Sequence, residues 1–195
     1  MSEVKTNKVS PVGANGTVTL GDSGDTITIP AGATITNSGT ATGFGLFSAY
    51  AILREEQSSG TAGSSASGAN TWDTRVLNTE AADPSSIVTL SSNQFTLGAG
   101  SYLISWWCVS QECGHWSTRL YDVTGSAVCS NGYGSPEDDG QTGRTRQSRG
   151  SVRVSPSGSN VYRIEANADT ASAKWGAASS RGTEVYTEVL ICKES

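Results

Sequence analysis

A chain of 195 residues with 23 Gly, 1 Met and only 16% charged side chains has room for one full-sized domain plus an appendage, and lacks the charged amphipathic stretches of a helical protein. Its net charge of −5 gives no long-range attraction to nucleic acid or to an anionic membrane, so neither is an expected partner. No apolar run approaches about 18 residues and the start is not charged-then-apolar. The expectation is therefore a chain made in a cytosol, with no membrane insertion and no export by the ordinary secretory route.

Residues 1–16 are polar, with Lys5, Lys8 and Pro11 followed by the turn-formers Gly13, Asn15 and Gly16, and they read as a flexible or docking N-terminus. Residues 17–45 form a different segment. From Thr26 to Thr36 every odd position from 27 to 35 is apolar (Ile27, Ile29, Ala31, Ala33, Ile35), while Thr, Pro30 and Gly32 fill the even ones. That period of two predicts a strand face. Five small apolar residues do not offset backbone entropy of roughly 1–2 kcal/mol per residue. A stripe shared between identical chains about an axis would build a thin common core and hide the strand edges; an edge hairpin packed on the main domain is the plainer alternative.

All five Trp, all six Tyr and all four Cys follow Gly45, which sets a domain boundary and makes 46–195 the main domain. Strands are predicted over 46–54, 71–77, 86–90, 94–97, 101–109, 117–121, 150–154, 160–166 and 184–193, separated by Gly, Ser, Asn and Asp clusters. Many short strands so punctuated are the pattern of an all-β sandwich or jelly roll. The loop Ser58–Ala69 is low in complexity and reads as exposed. Residues 101–109 are the most aromatic and read as an innermost strand, with Tyr102, Ile104 and Trp106 on one face and Leu103, Trp107 and Val109 largely on the other. Both faces call for cover, from a second sheet or a partner chain.

Chemistry-bearing candidates are few. His115 is the single histidine, and no Gly-x-Ser-x-Gly elbow sits in a strand-to-helix setting, so no catalytic residues are assigned and the chain is not expected to be an enzyme. Cys108, Cys113, Cys129 and Cys192 lack the dense spacing of a disulfide scaffold and read as reduced thiols, mostly buried, with bridges as the alternative. Cys108, Cys113 and His115 match no familiar zinc spacing and favour a structural role. No cofactor is expected. Glu137, Asp138 and Asp139 form an acidic loop, either solvated or a weak site for a hard cation such as calcium. Arg144 and Arg146, in the most basic stretch, would share a strand face, to bind a phosphate or carboxylate group of a glycan or to pair with that acidic loop between subunits. Trp116, Tyr121, Tyr133 and Trp175 stand beside Gly-rich turns, where exposed aromatics make platforms for sugar rings or protein receptors; burial in the core is the alternative.

Trp72-Asp-Thr-Arg-Val-Leu-Asn78, Ile87-Val-Thr-Leu90, Phe95-Thr-Leu with Ala99-Gly-Ser-Tyr102, and the closing Tyr186-Thr-Glu-Val-Leu-Ile191 resemble the globular head of complement-type and tumour-necrosis-factor-like proteins. The likeness covers about residues 46–193. It implies a homotrimeric ten-stranded jelly roll, with Tyr102 and Tyr186 joining Ile27, Ile29 and Ile35 as trimer-forming residues. The segment from Thr17 to Gly43, with Leu-Gly-Asp-Ser-Gly-Asp, Ile-Pro and Gly-Ala-Thr-Ile in order, resembles a segment near the start of bacteriophage fibre proteins. Together the two resemblances imply a virion fibre or spike made in the host cytoplasm. A β stalk or attachment segment would bind other virion proteins through the N-terminus, and a trimeric tip would bind a host-surface glycan or protein. A purely structural virion component, such as a capsid-decorating head fibre or an adaptor, is the alternative.

Overall fold

The computed structural model describes residues 9, 11, 17–34, 36, 46–134 and 145–194. The chain divides into two units, residues 1–41 and 42–195, and each is described by itself.

In the first unit the described residues form turns rather than a ladder. Asp25 N donates to Asp22 O at 3.0 Å, and Ala33 N donates to Pro30 O at 3.1 Å. Among the described residues the stripe expected as a strand carries no strand pairing: Ile27 and Ile29 are 59% and 47% exposed. Among the described residues of this unit nothing buries these side chains. Ile35 lies outside the described residues.

The second unit is an all-β sandwich of two antiparallel sheets. The first sheet has the order β3-β1-β11-β6-β9, formed by Thr79–Ala82, Phe47–Gln57, Glu184–Glu194, Tyr102–Gln111 and Thr145–Val154. The second has the order β4-β5-β10-β7-β8, formed by Val88–Ser91, Gln94–Leu97, Asn160–Ala168, Trp116–Asp122 and Ala127–Asn131, with β2 (Asp73–Thr74) paired to β10. Strands distant in sequence become neighbours, as in a Greek-key jelly roll.

Alternation decides which side chains meet between the sheets. Tyr102, Ile104, Trp106 and Cys108 of β6 face Leu120 of β7 and Tyr162, Ile164 and Ala166 of β10 in one buried cluster with Phe95, Leu97, Val189 and Ile191. Phe95 and Tyr162 stack with ring centroids 5.8 Å apart. Gly150 permits a close approach: a Cβ there would collide with the indole of Trp106. That indole donates Nε1–H to Thr118 Oγ1 at 2.8 Å, Thr118 meets Ser148 Oγ at 2.7 Å, and Ser148 Oγ donates to Tyr133 O at 2.7 Å, so a polar relay ties the sheets where β7, β8 and β9 converge.

Loops gather at two ends. The chain enters the unit beside its own last strand, where Phe47 lies opposite Glu194. The opposite end carries the segments 58–72, 112–115 and 169–183, held together by Gly63 N to Gly176 O, Gln111 N to Lys174 O and Asp169 N to His115 O.

Candidate functional site

The far end holds a buried ionic hub. Arg75, in the turn between β2 and β3, is fully buried, as are Glu55 of β1 and Thr187 of β11. Its guanidinium donates to Thr187 Oγ1 at 2.9 Å, to the backbone oxygens of Trp175 and Tyr186 at 2.7 and 3.1 Å, and to Glu55 Oε2 at 3.3 Å. It also lies 5.3 Å from the centroid of the Trp175 ring. Burial pushes the Glu55 carboxyl above its ordinary value, and the Arg75 charge opposes that shift. The neighbouring Cys108 thiol is pushed up to about 11, chiefly by burial, which makes it an inert core group. Glu184 shows the opposite effect at the same end. Backbone amides of Ser179, Gly60 and Ser180, with the Ser179 hydroxyl, hold its pKa down at about 2 and clamp two loops together.

Above the hub lies a polar cleft of about 200 Å³ lined by Asn70, His115, Trp116, Ser117, Asn167 and Asp169. The pairing of β7 with β10 places Trp116 opposite Ala168, so the residues just beyond those strand ends, His115 and Asp169, meet. His115 Nδ1 is 3.0 Å from Asp169 Oδ2, and His115 N donates to Asp169 Oδ1 at 3.1 Å. Asn70, Glu112 and Gly114 all take left-handed backbone conformations, with φ of 57°, 55° and 58°. A Cβ at Gly114 would occupy the space of Asp169 Oδ1, so glycine is what lets the carboxylate reach the histidine.

Below the cleft, the outer face of the second sheet carries a fixed ladder of rings and cations. Arg119 lies 3.9 Å from the centroid of the Trp72 ring and 5.3 Å from that of Tyr121, and Arg163 lies 5.0 Å from the same Tyr121 centroid. Glu165 bridges both guanidiniums.

The outer face of the first sheet is different in kind. Tyr50 and Ile52 of β1, Leu190 and Cys192 of β11, and Leu103 and Trp107 of β6 stand on it in register. Tyr50 is 46% and Leu190 39% exposed, and with Phe47 they border a shallow apolar depression of about 310 Å³. Ion pairs rim this strip, Arg54 with Glu188 on one side and Arg153 with Glu194 on the other, each with a 2.8 Å contact. A contiguous apolar patch with a charged rim is a common mark of an interaction surface.

Several expected site residues fall elsewhere. Trp116 and Trp175 are buried, with ring centroids 6.2 Å apart, and are not exposed platforms: the irregular segment 169–183 folds over the open end of the sandwich and carries Trp175 into the core. Tyr102 and Tyr186 are also buried inside the single chain, which leaves neither ring free for a neighbouring copy; Tyr186 Oη donates to Thr61 O at 2.7 Å. Tyr121 is half-buried in the cation ladder. Arg146 is half-buried on the inward side of β9 and engaged within the protein. Tyr133 alone of the expected aromatics is freely exposed, at 79%. Arg144, Glu137, Asp138 and Asp139 lie outside the described residues. Among the described residues no three His, Cys, Asp or Glu side chains gather to hold a metal ion. Sequence pattern marked Arg75 only as part of the Trp72–Asn78 motif and gave no role to it, to Glu55 or to Asp169.

No protein-family model matches the chain, and no curated protein matches its sequence. Solved structures do. A tumour-necrosis-factor protein of S. frugiperda, Eiger, is 9% identical over 75% of this chain and 92% of its own, with a TM-score of 0.51. Murine APRIL is 7% identical over 74% of this chain and 98% of its own, with a TM-score of 0.50. The globular domain of zebrafish complement 1qA is 12% identical over 74% and 95%, with a TM-score of 0.48. At such identities the likeness to Eiger and APRIL concerns the fold: the second unit is a jelly-roll β-sandwich of their architecture.

Proposed function

We propose that the chain is the receptor-binding head of a bacteriophage fibre or spike, a binding protein rather than an enzyme. Three copies associate through the apolar outer face of the first sheet, and the N-terminal segments combine into a shared β stalk that attaches to other virion proteins. The observation that carries this reading is the strip of Tyr50, Ile52, Leu103, Trp107, Leu190 and Cys192, apolar on a face that no described element of the second unit covers. Cover from identical chains also gives the exposed Ile27 and Ile29 somewhere to go. The phage setting rests on the sequence likeness of Thr17 to Gly43 to fibre proteins.

In this arrangement the end carrying segments 58–72, 112–115 and 169–183 lies away from where the chain enters the sandwich, and it is the end that meets the host surface. Weak contacts at each head are multiplied by the number of heads. Light scattering on the full chain tests the assembly, with a mass three times that of the chain expected. Binding of the wild-type protein to intact host cells tests the recognition. A monomer refutes the head as described, and a particle that infects normally without this protein makes it a structural virion component instead.

A further inference from the structure

We propose that the cleft formed by Asn70, His115, Ser117, Asn167 and Asp169 is a carbohydrate subsite that takes one neutral pyranose ring through two adjacent hydroxyl groups; this rests on reading the chain as a surface-binding head.

The chemistry of the lining selects the ligand class. Both oxygens of Asp169 are engaged by His115, one by its backbone N–H and the other by Nδ1. With Nδ1 committed to Asp169, Nε2 is the ring nitrogen left to a ligand on a largely exposed side chain, as donor or acceptor according to the tautomer. The amides of Asn70 and Asn167 each present a donor and an acceptor in one plane, and the Ser117 hydroxyl serves as either. Each sugar hydroxyl is likewise donor and acceptor, so a neighbouring pair of them satisfies such a set. Among the described residues Lys and Arg are absent from the lining, and an anionic sugar would face the Asp169 carboxylate. A divalent cation would find a single carboxylate among the described residues, its two oxygens already bonded to His115.

Size and rigidity agree with this choice. A cleft of about 200 Å³ is below the roughly 300–1,000 Å³ of sites for drug-sized ligands and suits one ring. Left-handed backbone at Asn70 and Glu112 shapes this end at a conformational cost, the kind of strain that collects at binding sites, while Gly114 takes the same conformation without one. Ser117 and Asn167 are paired across β7 and β10, and the next pair outward, Arg119 with Glu165, begins the ladder that holds the Trp72 ring. A longer glycan leaving the cleft therefore meets an aromatic ledge already locked in place.

The chain has one histidine, so its Cε1–H gives a single resolved His115 signal in a carbon–proton correlation spectrum of the full-length protein. Glucose, galactose, mannose, rhamnose and N-acetylglucosamine are titrated separately. At least one should shift the His115 signal saturably in the millimolar range typical of single-ring contacts, and Asn70→Ala or Asn167→Ala should weaken that sugar about tenfold, the effect of losing about 1.4 kcal/mol. Tyr133→Ala should leave it unchanged. A His115 signal unmoved by all five sugars overturns the subsite, even if the wild-type protein still binds host cells and the head reading stands. A sugar-dependent shift in a protein that proves monomeric and binds no cell supports the subsite and refutes the head. A shift that survives both Asn substitutions places the sugar elsewhere and overturns the proposal.

Discussion

Replacing Arg75 by Met should destabilise the sandwich more than any single change on its surface. The guanidinium is the counter-charge of fully buried Glu55 and also supplies hydrogen bonds to Thr187 Oγ1, Trp175 O and Tyr186 O. Removing one partner of such a pair leaves a buried charge uncompensated, at a cost of about 3–5 kcal/mol. Against a typical total of about 5–15 kcal/mol, that is a third or more of the stability. The double variant Arg75→Met with Glu55→Gln removes the stranded charge and should recover about 1–3 kcal/mol of the loss, because apolar or neutral replacements of buried ion pairs are often tolerated. The pH dependence has a defined sign. Burial already raises the Glu55 pKa in the folded chain and Arg75 opposes the rise, so removing Arg75 raises it further. A carboxyl whose folded pKa lies above its unfolded value costs nothing where it is protonated in both states, and its cost grows as pH rises from about 4.5 through the folded pKa. The deficit of Arg75→Met should therefore shrink in acid. Urea unfolding followed by tryptophan fluorescence, at one fixed protein concentration so that assembly contributes equally, measures all three proteins. A deficit below about 1 kcal/mol, or a double variant no more stable than the single one, would refute the assignment of Arg75 as the charge that Glu55 requires.

Leu190→Asp places a charge at the centre of the apolar strip and should convert the proposed trimer to monomer in light scattering while leaving the far-ultraviolet circular dichroism intact. Glu184 is held at about 2 in the folded chain, so its stabilisation is present above the unfolded carboxylate value and is lost as pH falls from about 4.5 toward 2; Glu184→Gln should be less stable at neutral pH and show a flatter acid unfolding profile. Gly150→Ala drives a methyl group into the Trp106 ring and should cost about 1–3 kcal/mol in urea unfolding, with a change in tryptophan emission.

The strands that alternate strongly were legible in the sequence. β1, β5, β6, β7, β10 and β11 all lie within a few residues of the predicted runs, since each carries buried apolar side chains on one face. β3 and β8 were missed. Thr79–Ala82 has no apolar alternation, and Ala127–Asn131 is a short edge strand with little to bury, so both exist through pairing rather than pattern. Thr145–Arg149 read as a basic stretch, yet it continues β9 because Ser148 and Gly150 sit opposite Cys108 and Trp106. Burial of Trp116 and Trp175 depends on a coil segment folding over the sandwich, and no local periodicity reports that. The His115–Asp169 pair spans 54 residues of sequence. Its one available signal was positional: each lies at the end of a predicted strand, and pairing those two strands in antiparallel register brings the ends together.

The two outer faces of the sandwich differ although both belong to antiparallel sheets with one side buried. On the second sheet the outward positions of β7 and β10 hold Ser117, Arg119, Tyr121, Arg163, Glu165 and Asn167, polar or aromatic groups that satisfy one another without a partner. On the first sheet the equivalent positions of β1, β11 and β6 hold Tyr50, Ile52, Leu190, Cys192, Leu103 and Trp107, whose apolar surface is left unsatisfied. At about 25 cal/mol per Å², every 100 Å² of that surface withdrawn from water contributes about 2.5 kcal/mol toward association. Charge is confined to the rim of the strip, where it sets orientation without the desolvation cost of a buried ion pair. A sheet that has spent its apolar residues outward on β1, β6 and β11 is built to be covered, and the polar sheet beside it, continuous with the Asn70–His115–Asp169 cleft, is built to remain in water. The proposed trimer and the proposed sugar subsite thus use opposite sides of one sandwich, and occupying either leaves the other free.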